Sequence, residues 1–192
     1  MPFGLGFFAT AGAGAAGSFD LLETQVLGSS AASVTFSSLS TYASTYKHLQ
    51  IRYVAKSDRS SGDGNDAMIM TLNGDSGANY NSHILIGDGA VNSGFETYQN
   101  AMEYTYIAGT GGNITGAFGT GVMDLLDAFS TSKFKTRRAF WGNSLGGSYK
   151  AVGLSSAMWR NTAAISSITF DQRYGSNFVT GSRFSLYGIK GA

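Results

Sequence analysis

The sequence predicts an all-β protein: an antiparallel β-sandwich, jelly-roll-like, with an extended N-terminal arm. Three observations lead there. Charged residues make up 13% of the 192, against 43% hydrophobic and 13% aromatic; that charged share is about half the usual ~25%. The surface is instead built from Ser, Thr, Asn and 27 Gly, with a single Pro, a mixture that suits many tight turns. Finally, short segments of alternating polarity recur along the chain, and no amphipathic helix of normal length interrupts them. Because βαβ crossovers need helices between strands, an α/β class is disfavoured.

The chain opens "MPFGLGFFATAGAGAAGSFDLLE", with no charged side chain before Asp20. A secretory signal would need a basic n-region and a compact apolar core; here there is no Lys or Arg, and Gly4 and Gly6 break the apolar run. Five glycines among the first seventeen residues make a poor membrane span, which needs about 20 predominantly apolar residues. Gly12, Gly14 and Gly17 spell G-x-G-x-x-G, but no carboxylate follows between Glu23 and Asp58 to hold a ribose. The reading that survives is an assembly arm over residues 1–18, with Phe3, Leu5, Phe7 and Phe8 as apolar anchors on neighbouring subunits. Residues 19–192 then form a single β-sandwich domain.

Strand follows strand from Phe19. "FDLLETQVL" (19–27) ends at Gly28-Ser29-Ser30, and "SVTF" (33–36) comes next. "KHLQIRYVA" (47–55) puts Leu49, Ile51 and Tyr53 on one face and His48, Gln50 and Arg52 on the other, the period-two pattern of a half-buried strand. Further strands are expected at 67–75, 82–89, 103–109, 121–129, 133–143, 148–159, 165–172 and 183–191. Trp141 and Trp159 belong in the core, as large aromatic residues on strands usually do. "DLLDAFSTSKF" is the one stretch that could make a helical turn. Phe184 and Leu186 need burial, so the last strand should be paired within a sheet and the domain complete at its C-terminus.

Chemistry is sparse. The absence of Cys removes disulfides, thiolate metal sites and Cys nucleophiles together. Gly142-Asn-Ser144-Leu-Gly146 spells the nucleophile elbow G-x-S-x-G, but a further strand rather than a helix is expected after it, so a hairpin turn is the better reading. His48 and His83 match neither zinc nor triad spacing. Asp63, Asn65, Asp66 and Asp75 are oxygen donors that fail the EF-hand order and read as turn residues. Asn113-Ile-Thr115 is a glycosylation sequon in spelling only, as no export signal precedes it. No catalytic residue, cofactor or metal is expected. Net charge is +1, too little to steer nucleic acid. The one basic cluster, Lys133, Lys135, Arg137 and Arg138, reads as a solvated strand face.

The blocks "LLETQVLGSSAASVTFSSL", "TYKHLQIRYVAKS", "LNGDSGANY", "TSKFKTRRAFWGN", "MWRNTAAISSITF" and "SNFVTGSRFSLYGIKG" resemble small structural proteins of tailed-bacteriophage virions, over about Ser18 to Gly191. They are packing and turn motifs, and no catalytic residue comes with them. The resemblance implies a non-enzymatic virion protein on the particle surface, made in the host cytoplasm. A capsid decoration or cement protein is the first reading: a homotrimer whose arm packs on its own copies and on the major capsid protein or other virion proteins. The alternative is a tail-fibre or spike module binding host-surface glycans through exposed Tyr and Trp beside loops such as 73–81. An esterase acting through Ser144 is the enzyme reading weighed against both.

Overall fold

The computed structural model describes residues 18–61, 64–111, 115–144 and 150–191. The proposed arm anchors Phe3, Leu5, Phe7 and Phe8 lie outside them. Twelve strands are described: β1 (Phe19–Val26), β2 (Ser33–Phe36), β3 (His48–Ala55), β4 (Asn65–Leu72), β5 (Tyr80–Gly87), β6 (Val91–Gln99), β7 (Met102–Ala108), β8 (Gly119–Leu126), β9 (Lys135–Ser144), β10 (Lys150–Trp159), β11 (Ile168–Gln172) and β12 (Arg183–Ile189). They form two antiparallel sheets, of eight strands in the order β1-β12-β3-β8-β9-β10-β5-β6 and of four in the order β2-β11-β4-β7. The expected antiparallel β-sandwich is what forms.

The pairing is nested. β1 pairs with β12, β2 with β11, β3 with β8 and β4 with β7. The hairpins β5–β6 and β9–β10 then extend the large sheet beyond β8. With those hairpins set aside, the remaining eight strands pair first with last, second with seventh, and so inward. Consecutive strands β1, β2, β3 and β4 therefore fall alternately in the large and the small sheet.

Apolar alternation explains the core. Leu49, Ile51 and Tyr53 are buried as their spacing predicts, and so are Trp141, Trp159, Phe184 and Leu186. Phe170 of β11 stacks on Phe184 of β12 at 5.5 Å, and Tyr106 of β7 meets Trp141 of β9 at 5.0 Å, joining the two sheets through offset and tilted aromatic pairs. Inside the large sheet, bulky rings lie over glycines of the next strand. Gly121 and Gly153 flank Trp141 in register; a side chain at Gly153 would run into the Trp141 indole, and one at Gly121 would come within 2.5 Å of Tyr53 Oη.

Four local expectations are corrected. The strand β6 was not anticipated, and β4 begins at Asn65, so Asn65 and Asp66 are buried strand residues rather than loop donors. "DLLDAFSTSKF" is the end of β8 followed by a turn closed by Ser130 N–H donating to Asp127 O at 3.0 Å. A 3-10 turn sits instead at Leu39–Tyr42.

The basic cluster is not one solvated face either: Lys133 and Arg138 are exposed, but Lys135 and Arg137 point inward and are fully buried. Lys135 Nζ donates to the carbonyls of Ser130, Lys133 and Thr162. Arg137 donates to Thr105 Oγ1, the Glu103 carbonyl and Ser155 Oγ. Lys135 Nζ and the two terminal nitrogens of Arg137 thus donate to neutral oxygens, while Arg137 Nε is buried without a partner among the described residues; burial lowers both pKa values, that of Arg137 to about 10.

Candidate interaction surface

The outer face of the large sheet carries the most distinctive surface among the described residues. A strand with one buried and one solvated face should alternate apolar and polar. β9 does not: Ala139 and Trp141 face the core, while Phe140 between them faces water. β10 repeats the anomaly with Val152 and Leu154, and β5 with Leu85.

The register brings these residues together. Leu85 stands opposite Leu154, Leu154 opposite Phe140, and Phe140 opposite Val122, a line across four strands. Leu85, Leu154 and Phe140 remain 46%, 54% and 52% exposed. Val152 lies one step along β10, and β6 adds Phe95 and Val91, more than three-quarters exposed. A contiguous apolar surface of this kind on a folded protein marks an interaction site.

A polar line borders it. His83 stands opposite Ser156, Ser156 opposite Arg138, Arg138 opposite Asp124, and Asp124 opposite Gln50. Arg138 Nε donates to Asp124 Oδ2 at 3.0 Å, Gln50 Nε2 to Asp124 Oδ1 at 2.8 Å, and Arg52 Nε to Gln50 Oε1 at 3.0 Å. Between the two lines lies a hollow of about 400 Å³ floored by Ala139 and Ser155. A second, of about 200 Å³, lies beside Gly87 and Val152. Leu85, Leu154 and Phe140 line both. At the far edge of the sheet, Arg52 sits 5.1 Å from the Phe19 ring and 5.0 Å from that of Tyr187, which are themselves stacked at 4.8 Å.

The residues weighed for chemistry are not brought together. His48 is on β3 and His83 on β5, with β8, β9 and β10 between them, roughly 19 Å at the usual strand spacing. His48 Nδ1 accepts from the Asp127 N–H at 2.8 Å. Ser144 ends β9 opposite Lys150 of the antiparallel β10, and the next described residues belong to that strand. Asp66 accepts from the N–H groups of Tyr174 and Gly175. Asp75 accepts from Gly77 N–H, Asn79 Nδ2 and Trp159 Nε1. Burial opposes the charge of Asp75, but these bonds outweigh it and hold its pKa below 3.8.

Among the described residues no group of three or more His, Cys, Asp or Glu is placed to hold a metal, and no helix is long and apolar enough to cross a membrane. The glycine motif at Gly12–Gly17, Asp63 and the Asn113 sequon lie outside the described residues.

The surface residues Leu85, Phe140, Val152 and Leu154 were not singled out in the sequence as a site. Their signal was apolar residues at both parities of "RRAFWGN" and "KAVGLSS". Compared with family models, with curated proteins and with solved structures, the chain matches none.

Proposed function

We propose that this protein is a non-enzymatic structural component of a tailed-bacteriophage virion, a capsid decoration or cement protein acting through contacts between its own copies and with the major capsid protein. The observation that carries the reading is the exposed apolar line Leu85–Leu154–Phe140–Val122 on the eight-stranded sheet. It is a surface built to be covered, not a cleft built to convert a substrate. The nested strand pairing supports the jelly-roll refinement of the sandwich, since a double Greek key interleaves its strands between two sheets in this way. Many copies, forming homotrimers and anchored by the arm residues Phe3, Leu5, Phe7 and Phe8, would stabilise a shell by mass action: whatever binds only the assembled lattice favours it.

The test is cryo-EM of purified particles with quantitative mass spectrometry. Copies spread over the whole shell support the proposal. A few copies confined to the tail favour the tail-fibre reading with its glycan ligands, and absence from the particle overturns both. Asp75, in the loop 73–81 proposed for glycans, already accepts from Asn79 and Trp159, which favours the decoration reading.

A further inference from the structure

We infer that the outer face of β5, β6, β8, β9 and β10 seats a second copy of this chain, packed sheet on sheet about a two-fold axis. The inference rests on reading this face as an assembly surface and names its partner.

Three features favour a copy over another occupant. The first is area. Leu85, Val91, Phe95, Phe140, Val152 and Leu154 each leave about half or more of the side chain in water. At roughly 100 Å² apiece they expose on the order of 600 Å², the upper end of what a monomer leaves uncovered. With the polar border added, the face approaches the ~800 Å² per partner of a stable interface.

The second is charge. Arg138 and Asp124, which border the apolar line, neutralise each other at 3.0 Å, and two cations that pair with no carboxylate among the described residues, Arg52 opposite Val122 and Lys150 two residues from Val152, stand at the margin of the face. The centre of the face therefore selects no oppositely charged partner and leaves its own copy unopposed there.

The third is shape. The line Leu85–Leu154–Phe140 lies between two hollows and lines both. A two-fold axis near it lets this line on each copy meet a depression on the other, the self-complementarity an isologous contact requires. The contact is distinct from the trimer proposed above, since a three-fold ring joins two different surfaces; the two together would extend into a lattice.

The full-length chain is examined by sedimentation equilibrium between roughly 1 and 100 μM, a range that reads a micromolar association. The wild type is expected to pair, and Leu154→Lys and Val152→Lys each to weaken pairing by about 100-fold or more, as a charge in the centre of an interface does. Both side chains point to solvent, so the variants should keep the wild-type circular dichroism. Because the chain contains no cysteine, Leu154→Cys places one thiol on this face. Its alkylation at fixed reagent should slow as protein concentration rises.

A wild type that stays monomeric, a Leu154→Lys variant that associates like the wild type, or an alkylation rate independent of protein concentration overturns the inference. A chain found on particles but monomeric in solution overturns the pairing and leaves the virion reading standing. A chain that pairs but is absent from particles does the reverse.

Discussion

The indole Nε1 of Trp159 donates a 2.6 Å hydrogen bond to Oδ2 of Asp75, pinning the last residue of β10 to the loop after β4. The same indole stacks on Tyr80 at 6.4 Å, and Tyr80 Oη donates to the Asp75 carbonyl at 3.0 Å. One acidic residue thus organises the passage from the small sheet to the hairpin that extends the large one. Trp159→Phe keeps an aromatic ring and removes the donor. It should cost about 1.5–3 kcal/mol, the range for a hydrogen bond to a charged group, read from urea unfolding midpoints at unchanged m-value. A loss under about 0.5 kcal/mol would show that the bond is not a structural tie.

Arg137 is buried, with neutral acceptors on β7 and β10. Arg137→Ala leaves a void and strands those acceptors, so it should cost about 3–5 kcal/mol. Arg137→Met fills the space without bringing a buried charge and should cost clearly less. Equal losses in the two variants, measured by chemical denaturation, would contradict an origin in packing.

Asp75 and Asp171 should respond to acid in opposite ways. Asp75 has its pKa below 3.8 in the folded state. Its charge therefore adds stability that is present above 3.8 and lost as pH falls through the folded value. Burial raises the pKa of Asp171 above 3.8, so its charge costs stability above that raised value, and the cost disappears as pH falls to 3.8. Asp75→Asn should destabilise at neutral pH by about 1–2 kcal/mol, with the deficit closing in acid. Asp171→Asn should stabilise at neutral pH by about 1 kcal/mol or less, with the gain also closing in acid. Melting temperatures across this range check both; like signs at neutral pH would refute the assignment.

Gly153 has no room for a side chain, because the Trp141 indole covers it from the core side. Gly153→Ala should cost about 1–3 kcal/mol through overpacking. Gly142, on β9 with open space around its outward face, should tolerate Ala with a change within about 0.5 kcal/mol. Thermal unfolding of the two variants separates the positions.

Strands whose apolar residues alternate were readable from the chain, as "KHLQIRYVA" illustrates: Leu49, Ile51 and Tyr53 are buried where their spacing put them. β6 was not, because "VNSGFETYQ" carries Val91 and Phe95 toward water at a sheet edge. A segment that buries little has no inside-outside pattern to read.

The basic cluster misled for a different reason. Lys135, Arg137 and Trp141 share one parity, so burial of Trp141 implied burial of the other two, but the usual exposure of cations outweighed that parity. The interaction surface was the least legible part. Phe140 is adjacent to Leu154 and Leu85 only because β9, β10 and β5 lie side by side, and β5 is joined to β10 by register rather than by chain order.

The nested pairing also sets a timetable for biosynthesis. Phe19 stands opposite Ile189, and Ser33 opposite Asp171, so the first two strands emerge from the ribosome long before their partners exist. At about 5–20 residues per second, Val34 and Phe36, buried in the finished core, wait roughly seven seconds or more for Phe170 and Ile168 of β11, whereas β4 and β7 can pair partway through synthesis. Completion of the sandwich therefore waits on β12. A nascent chain stalled before β12 is the form most in need of a chaperone.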